Sequence, residues 1–167
     1  LLAGLIENKD VGIVGSSGSW ESSSATDPAF PNPHIRTNAF IIASDLMRSL
    51  DFIPVQSKED ARAIESGYEG LSQQIKKAGK KLLVADRLGG QWFEDDWPRS
   101  HTFRSGDQEG LLISDNRTRA YQEGDDWTRQ YLHDLAWKGQ VGKANPFKRH
   151  KIRHRVRRFF EKRQKRQ

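Results

Sequence analysis

Apolar and polar positions along the chain fall into runs of two kinds. Short, nearly continuous apolar stretches, at Val11 to Val14, Asn38 to Ala43 and Leu82 to Ala85, are bounded by Gly, Ser or charged residues and read as strands. The Asn38 to Ala43 run shows no alternation, which predicts burial on both faces. Elsewhere, apolar residues recur at spacings of three and four. In "SKEDARAIESGYEGLSQQIKKAG", Ala61, Ile64, Tyr68, Leu71, Ile75 and Ala78 form one stripe. That predicts a single helix, opened by Ser57 with Asp60 three places on and closed by Gly79. "SDLMRSL" predicts a short helix capped by Ser44. Asp125 to Trp137 predicts another, with Trp127, Tyr131 and Leu135 at four-residue spacing.

The connecting stretches differ in character. "ESSSATDPAFPNP" is polar, holds three prolines and reads as a loop. "LGGQWFEDDWPRSHTFRSGDQEG" is a long aromatic and acidic loop, and "LLISDN" suits a short strand or helix. No internal repeat is present. Strands alternating with helices predict an α/β layer structure. "LLAGLIENKD" reads like the end of a helix and does not begin with methionine, so the sequence is expected to belong to a longer chain.

Composition narrows the classes. A chain of 167 residues suits one domain, and five Trp, eight Phe and three Tyr argue against disorder. With no Cys, neither a disulfide framework nor a Cys-based zinc site can form. No apolar run approaches the roughly 18 residues of a membrane span, and no signal peptide is visible. The net charge of +6 hides an asymmetry: residues 143–167 carry 12 Lys or Arg against one acid, Glu161, a surplus of 11 that leaves −5 on residues 1–142. The division is therefore an acidic α/β domain, 1–142, and a basic tail, 143–167. Nucleic-acid binding by the whole domain is disfavoured. In the tail, Ile152, Val156, Phe159 and Phe160 stand at helical spacing, and residues 147–163 read as a basic amphipathic helix for an anionic membrane surface. A solvated extension and an RNA-binding segment are the rival readings.

Four clusters carry candidate chemistry. Asp60 and Glu65 flank opposite edges of the apolar helix stripe at about 100° per residue. A carboxylate there suits a desolvated general base, while an acid in the first turn equally suits a cap. His34, Arg36 and Asn38 alternate along the approach to a strand, so they share one face able to bind a carboxylate, a phosphate or sugar hydroxyls. In the aromatic loop, Trp92 and Trp97 beside Asp96 suit carbohydrate, which offers apolar C–H faces and hydroxyls together. Loop-pinning tryptophans and solvated acids are the plainer reading, and Glu94 to Asp96 with His101 make only a loose cation set. Gly15 to Ser19 follows a strand as a phosphate-cradling turn does, but lacks both G-x-G-x-x-G and a G-K-[ST] ending, so a flexible loop fits better.

In order along the chain, "VGIVGSSGSWES", "PNPHIRTNAFIIASDL", "SKEDARAIESGYEGLSQQIKKAGKKLLVADR" and "WPRSHTFRSGDQEGLLISDNRTRAY" resemble the acceptor-side, C-terminal half of a bacterial GT-A-type glycosyltransferase of polysaccharide synthesis. The resemblance spans most of residues 10–138. It implies a partial GT-A-like, Rossmann-like layer structure with a C-terminal basic helix. It implies transfer of a sugar from a nucleotide-sugar donor to a saccharide or lipid-linked acceptor, with Asp60 as the base and Glu65 as its rival. It also places His34, Arg36 and Asn38 near donor phosphates or acceptor. Mg²⁺ or Mn²⁺ is expected with the donor, its ligands mostly outside this chain, because the Asp-x-Asp of that family has no counterpart here. The implied location is cytoplasmic, peripheral at the inner membrane. This chain alone is expected to be inactive. A non-catalytic nucleic-acid- or carbohydrate-binding module is the alternative.

Overall fold

The computed structural model describes residues 1–139; the basic tail and its 147–163 segment lie outside the described residues. Helix α1 (Leu2–Glu7) leads into strand β1 (Val11–Gly15), which passes through Ser16 and Ser17 to β2 (Gly18–Ser19). The Pro-bearing loop returns to β3 (His34–Ile35), followed by β4 (Phe40–Ile42), α2 (Ser44–Ser49), α3 (Lys58–Ser66) and α4 (Leu71–Lys77). Then come β5 (Lys81–Ala85), β6 (Gln91–Trp92), a 3-10 helix (Glu94–Ser100), α5 (Asn116–Gln122) and α6 (Asp126–Trp137). The fold is mixed α/β. Its four-stranded sheet has the order β4-β1-β5-β6, with β1 and β5 parallel at the centre and antiparallel strands at both edges, while β2 and β3 pair separately.

The central strands are buried on both faces, as their unbroken apolar sequence requires. On one face Ile13, Leu82 and Val84 meet Leu71 and Ile75 of α4, Ile35, Trp97, Phe103 and Trp137. On the other, Val11, Val14, Leu83 and Ala85 pack with Leu1 and Ile41. A register irregularity between Val11 and Ile13 accompanies the placement of both Val11 and Val14 in that second cluster. Each fully buried aliphatic side chain contributes about 1.5–3 kcal/mol.

Several expectations change. The helix predicted from Ser57 to Gly79 is two helices, α3 and α4, broken at Gly67 to Gly70. Gly67 is extended, and a Cβ there would lie 2.6 Å from the Ala63 carbonyl oxygen, so the chain turns through contacts closed to other residues. Tyr68, placed on the stripe, is consequently 60% exposed. Gly79 does close α4, with φ of 75°. Strand β4 is a half-buried edge rather than a doubly buried strand. Ser44 is the first residue of α2, which begins from Ala43 without a side-chain cap. In α6 the buried residues are Leu132, Ala136 and Trp137; Leu132 and Ala136 each stand about 100° round from Tyr131 and Leu135 of the predicted line. Gly15 to Ser19 is no loose loop, since all five residues are buried. In "LLISDN", Leu111 to Asp115 is neither strand nor helix; Asp115 caps α5, which starts at Asn116. The long aromatic loop contains β6 and the 3-10 helix.

Candidate functional site

The carboxyl end of β1, where open α/β sheets commonly bind ligands, runs into β2, and β2 carries β3 alongside, Ser19 opposite His34. Ile35 points into the core and is fully buried, its amide donating to Ser72 Oγ at 2.8 Å. Strand alternation then turns His34 and Arg36 to the opposite side, where they line a small cleft with Ser19, Glu21, Glu65 and Arg117. Arg62 and Ser66 from α3 complete its wall. The free volume within it is about 20 Å³, room for a single water-sized group.

The cleft is built from ion pairs. Arg36 Nη2 reaches Asp115 Oδ2 at 2.7 Å, Arg104 Nη1 reaches Glu21 Oε2 at 3.0 Å, and Arg117 stands 3.5 Å from the same oxygen. Arg62 Nη2 meets Asp27 Oδ2 at 2.8 Å. Glu65 Oε2 accepts from the Thr37 amide at 2.9 Å and from its hydroxyl at 2.5 Å. Arg36, Arg62, Arg117, Glu21 and Glu65 line the cleft itself, and with Asp27, Arg104 and Asp115 behind them four arginines stand against four carboxylates, a set with no net charge. The Phe103 ring steadies two of the cations: the Arg36 and Arg104 guanidinium carbons lie 4.2 and 4.8 Å from its centroid.

Arg104 is held in a left-handed backbone conformation, φ 44°, in a segment where His101 and Gln108 are left-handed too. Such conformations cost about 1–3 kcal/mol each and persist only where surroundings fix them. Here the Arg104 amide donates to Gln108 Oε1 at 3.1 Å, and its carbonyl accepts from Trp137 Nε1 at 3.3 Å. Burial brings the Arg104 guanidinium down to about 10, with Glu21 pulling the other way, so it is charged at neutral pH.

Desolvation opposes ionisation of Asp27, Glu65 and Asp115, but local donors outweigh it and leave each carboxyl below its ordinary range. For Glu65 the donors are Thr37, with Arg36 and His34 adding charge. For Asp27 they are the Ser23 and Ser24 amides and Arg62; for Asp115, Arg36 and the first amides of α5. His34 shifts down because burial outweighs the Asn32 carbonyl and the Glu65 and Glu21 charges.

The expected site residues scatter. His34, Arg36 and Glu65 come together in the cleft. Asn38 lies beside it, not in its wall; its Oδ1 accepts from Ser17 Oγ at 3.3 Å and from the Ala39 amide. Asp60 completes a capping box with Ser57, taking the Ser57 and Gln56 amides at 2.8 and 3.0 Å. These donors hold its carboxyl below the ordinary range. Trp97 is fully buried in the core, packed across Gly18, and offers no face to a sugar. Trp92 donates to Asp86 Oδ2 at 2.8 Å, and Asp96 pairs with Arg99; neither reaches the cleft. Glu21, Asp27, Arg62, Arg104, Asp115 and Arg117 were not anticipated. Their sequence signal is faint: acids in a Ser/Pro loop and arginines without apolar periodicity resemble solvated surface.

Among the described residues, no group of three or more His, Asp or Glu side chains could hold a metal ion. The aromatic-loop acids do not fit Mg²⁺ or Mn²⁺: Glu94 is paired with Lys76, and Asp96 with Arg99. A larger apolar groove of about 490 Å³ lies on the other side of α3, lined by Phe52, Ile53, Ile64 and Tyr68. No helix among the described residues is long and apolar enough to cross a membrane. No known protein family matches the chain, and neither a curated protein nor a solved structure is significantly similar to it.

Proposed function

We propose that this chain is the acceptor-side part of a nucleotide-sugar-dependent glycosyltransferase with a GT-A-like arrangement, and that the cleft holds one hydroxyl of a saccharide or lipid-linked acceptor. The observation that carries the reading is the cleft's charge balance. A phosphate site keeps surplus positive charge for its ligand, whereas here each arginine is matched by a carboxylate. A neutral hydroxyl both donates and accepts, and it suits a wall that holds both cations and anions, with room for one oxygen atom. The sugar ring would rest at the mouth. The donor diphosphate and its Mg²⁺ or Mn²⁺ then belong to residues other than these. Contact with an anionic membrane through 147–163 is part of the same reading, in a cytoplasmic enzyme peripheral to the inner membrane.

Of the two candidate carboxylates, Glu65 lines the cleft, and Asp60 serves the helix end. The test is sugar transfer by the intact protein from a panel of UDP-, GDP- and dTDP-sugars. Asp60→Asn should retain transfer, because an amide oxygen still accepts from the Gln56 and Ser57 amides, and Glu65→Gln should lose at least about tenfold, less than the roughly 100-fold or more of a direct general acid or base. Loss in Asp60→Asn with full activity in Glu65→Gln would reverse the assignment. Sugar binding without transfer by the intact protein would instead favour a carbohydrate-binding module.

A further inference from the structure

The geometry points to His34 as the group that takes the acceptor hydroxyl's proton, through Nε2. This rests on the glycosyltransferase reading above and deepens it. The ring's Nδ1 lies 2.8 Å from the Asn32 carbonyl oxygen. A carbonyl only accepts, so Nδ1 carries a hydrogen, and in a neutral imidazole Nε2 then holds a bare lone pair. No described residue hydrogen-bonds Nε2, and it is not among the sealed, unpartnered polar atoms of the interior, which are Arg36 Nη1 and Arg104 Nε. It is left facing the cleft that His34 lines.

Glu65 is the poorer base. Its Oε2 accepts both Thr37 bonds, and burial is overcome by donors that favour the carboxylate. Such a group holds a proton weakly. It is well placed, however, to stabilise an imidazolium once His34 is charged. The charges facing His34 are Glu65 from α3, Glu21 from the segment after β2, and Arg36 two places along its own segment; Arg62 of α3 and Arg117 of α5 stand in the same wall. The two acids favour the imidazolium, Arg36 opposes it, and burial keeps the resting ring neutral.

In the reaction, the acceptor O–H bond breaks and its proton passes to Nε2. The oxygen's electron pair forms the bond to the donor's anomeric carbon. The bond from that carbon to the nucleoside diphosphate oxygen breaks, and the diphosphate leaves with that pair. The imidazolium then returns its proton to water. Rate should follow the neutral form of His34, falling as pH drops through its titration.

The test joins two readings on the intact protein. Imidazole ¹⁵N spectra, assigned with a His34→Gln variant, should show Nε2 unprotonated at pH 7 and a midpoint below the ordinary value of about 6.5. The acid limb of kcat/KM for transfer from the nucleotide-sugar panel should share that midpoint. It should be lost in His34→Gln, with turnover reduced at least about 100-fold. A hydrogen on Nε2 at pH 7, or a midpoint at or above 6.5, overturns the assignment on the wild-type protein alone. Transfer that survives in His34→Gln with its acid limb unmoved also overturns it and leaves the glycosyltransferase reading standing. Transfer by no donor of the panel in the wild-type protein overturns the reading, and the base role with it.

Discussion

The two sides of β3 are one residue apart and are held by opposite physics. On one side the Ile35 side chain enters a cluster with Ile13, Leu82, Val84 and Phe103, where the packing is between apolar side chains. On the other, His34 and Arg36 enter a buried network in which each charge depends on a particular partner. Losing a methyl group from the first side costs transfer and packing energy alone. Losing a partner from the second strands a desolvated charge. The same short strand therefore supplies stability through one face and specificity through the other. The apolar face tolerates approximate sequence, and the polar face does not.

That contrast can be pressed hardest at Glu21. Glu21→Ala leaves buried Arg104 without its carboxylate and should cost about 3–5 kcal/mol of unfolding free energy in urea. Adding Arg104→Met should recover much of that loss, because an apolar pair has no charge to strand. If the double variant is less stable than Glu21→Ala, the ion pair is not what the single variant damages. On the apolar side Leu82→Ala should cost about 2–5 kcal/mol in the same experiment, with no such rescue by a second truncation.

A smaller effect separates the two sides by pH. His34 is held below its ordinary value, so protonation favours the unfolded chain. Its contribution is full above about pH 6.5 and is lost as pH falls through the folded value. Asp27, Glu65 and Asp115 are also held low; their contribution is full above about pH 4.5 and is lost as pH falls through their own folded values. Unfolding free energy measured against pH should therefore decline in two stages, and His34→Gln should remove the upper one. The smallest effect belongs to Asp60→Asn, which keeps the Ser57 cap and an acceptor oxygen for its amide in an exposed first turn and should leave the urea midpoint nearly unchanged.

The same difference governs what sequence could reveal. Strands β1 and β5 were legible because continuous aliphatic runs have few other uses in a folded chain. The Ser57 cap and the Gly79 stop were legible from local chemistry. The break at Gly67 was not, since the apolar spacing carries straight through it and only the close approach to Ala63 shows that the chain must turn. At the site, the alternation of His34 and Arg36 was visible because strand geometry is local. Their partners Glu21, Asp115 and Arg104 come from distant loops with no periodicity, and three-dimensional closure alone brings them together. Trp97 misled for a related reason: an aromatic residue beside acids reads alike whether it meets a sugar or seals a core.

The most direct test of the charge-balanced cleft is a backbone amide NMR titration of the intact protein. Glucose, galactose, mannose and rhamnose would be added in turn, each at high millimolar concentration, and compared with inorganic phosphate at matched ionic strength. The account predicts that at least one sugar shifts the Ser19, His34, Thr37 and Glu65 amides and that phosphate leaves them in place. Saturable phosphate shifts at those residues, with none from any sugar, would contradict it.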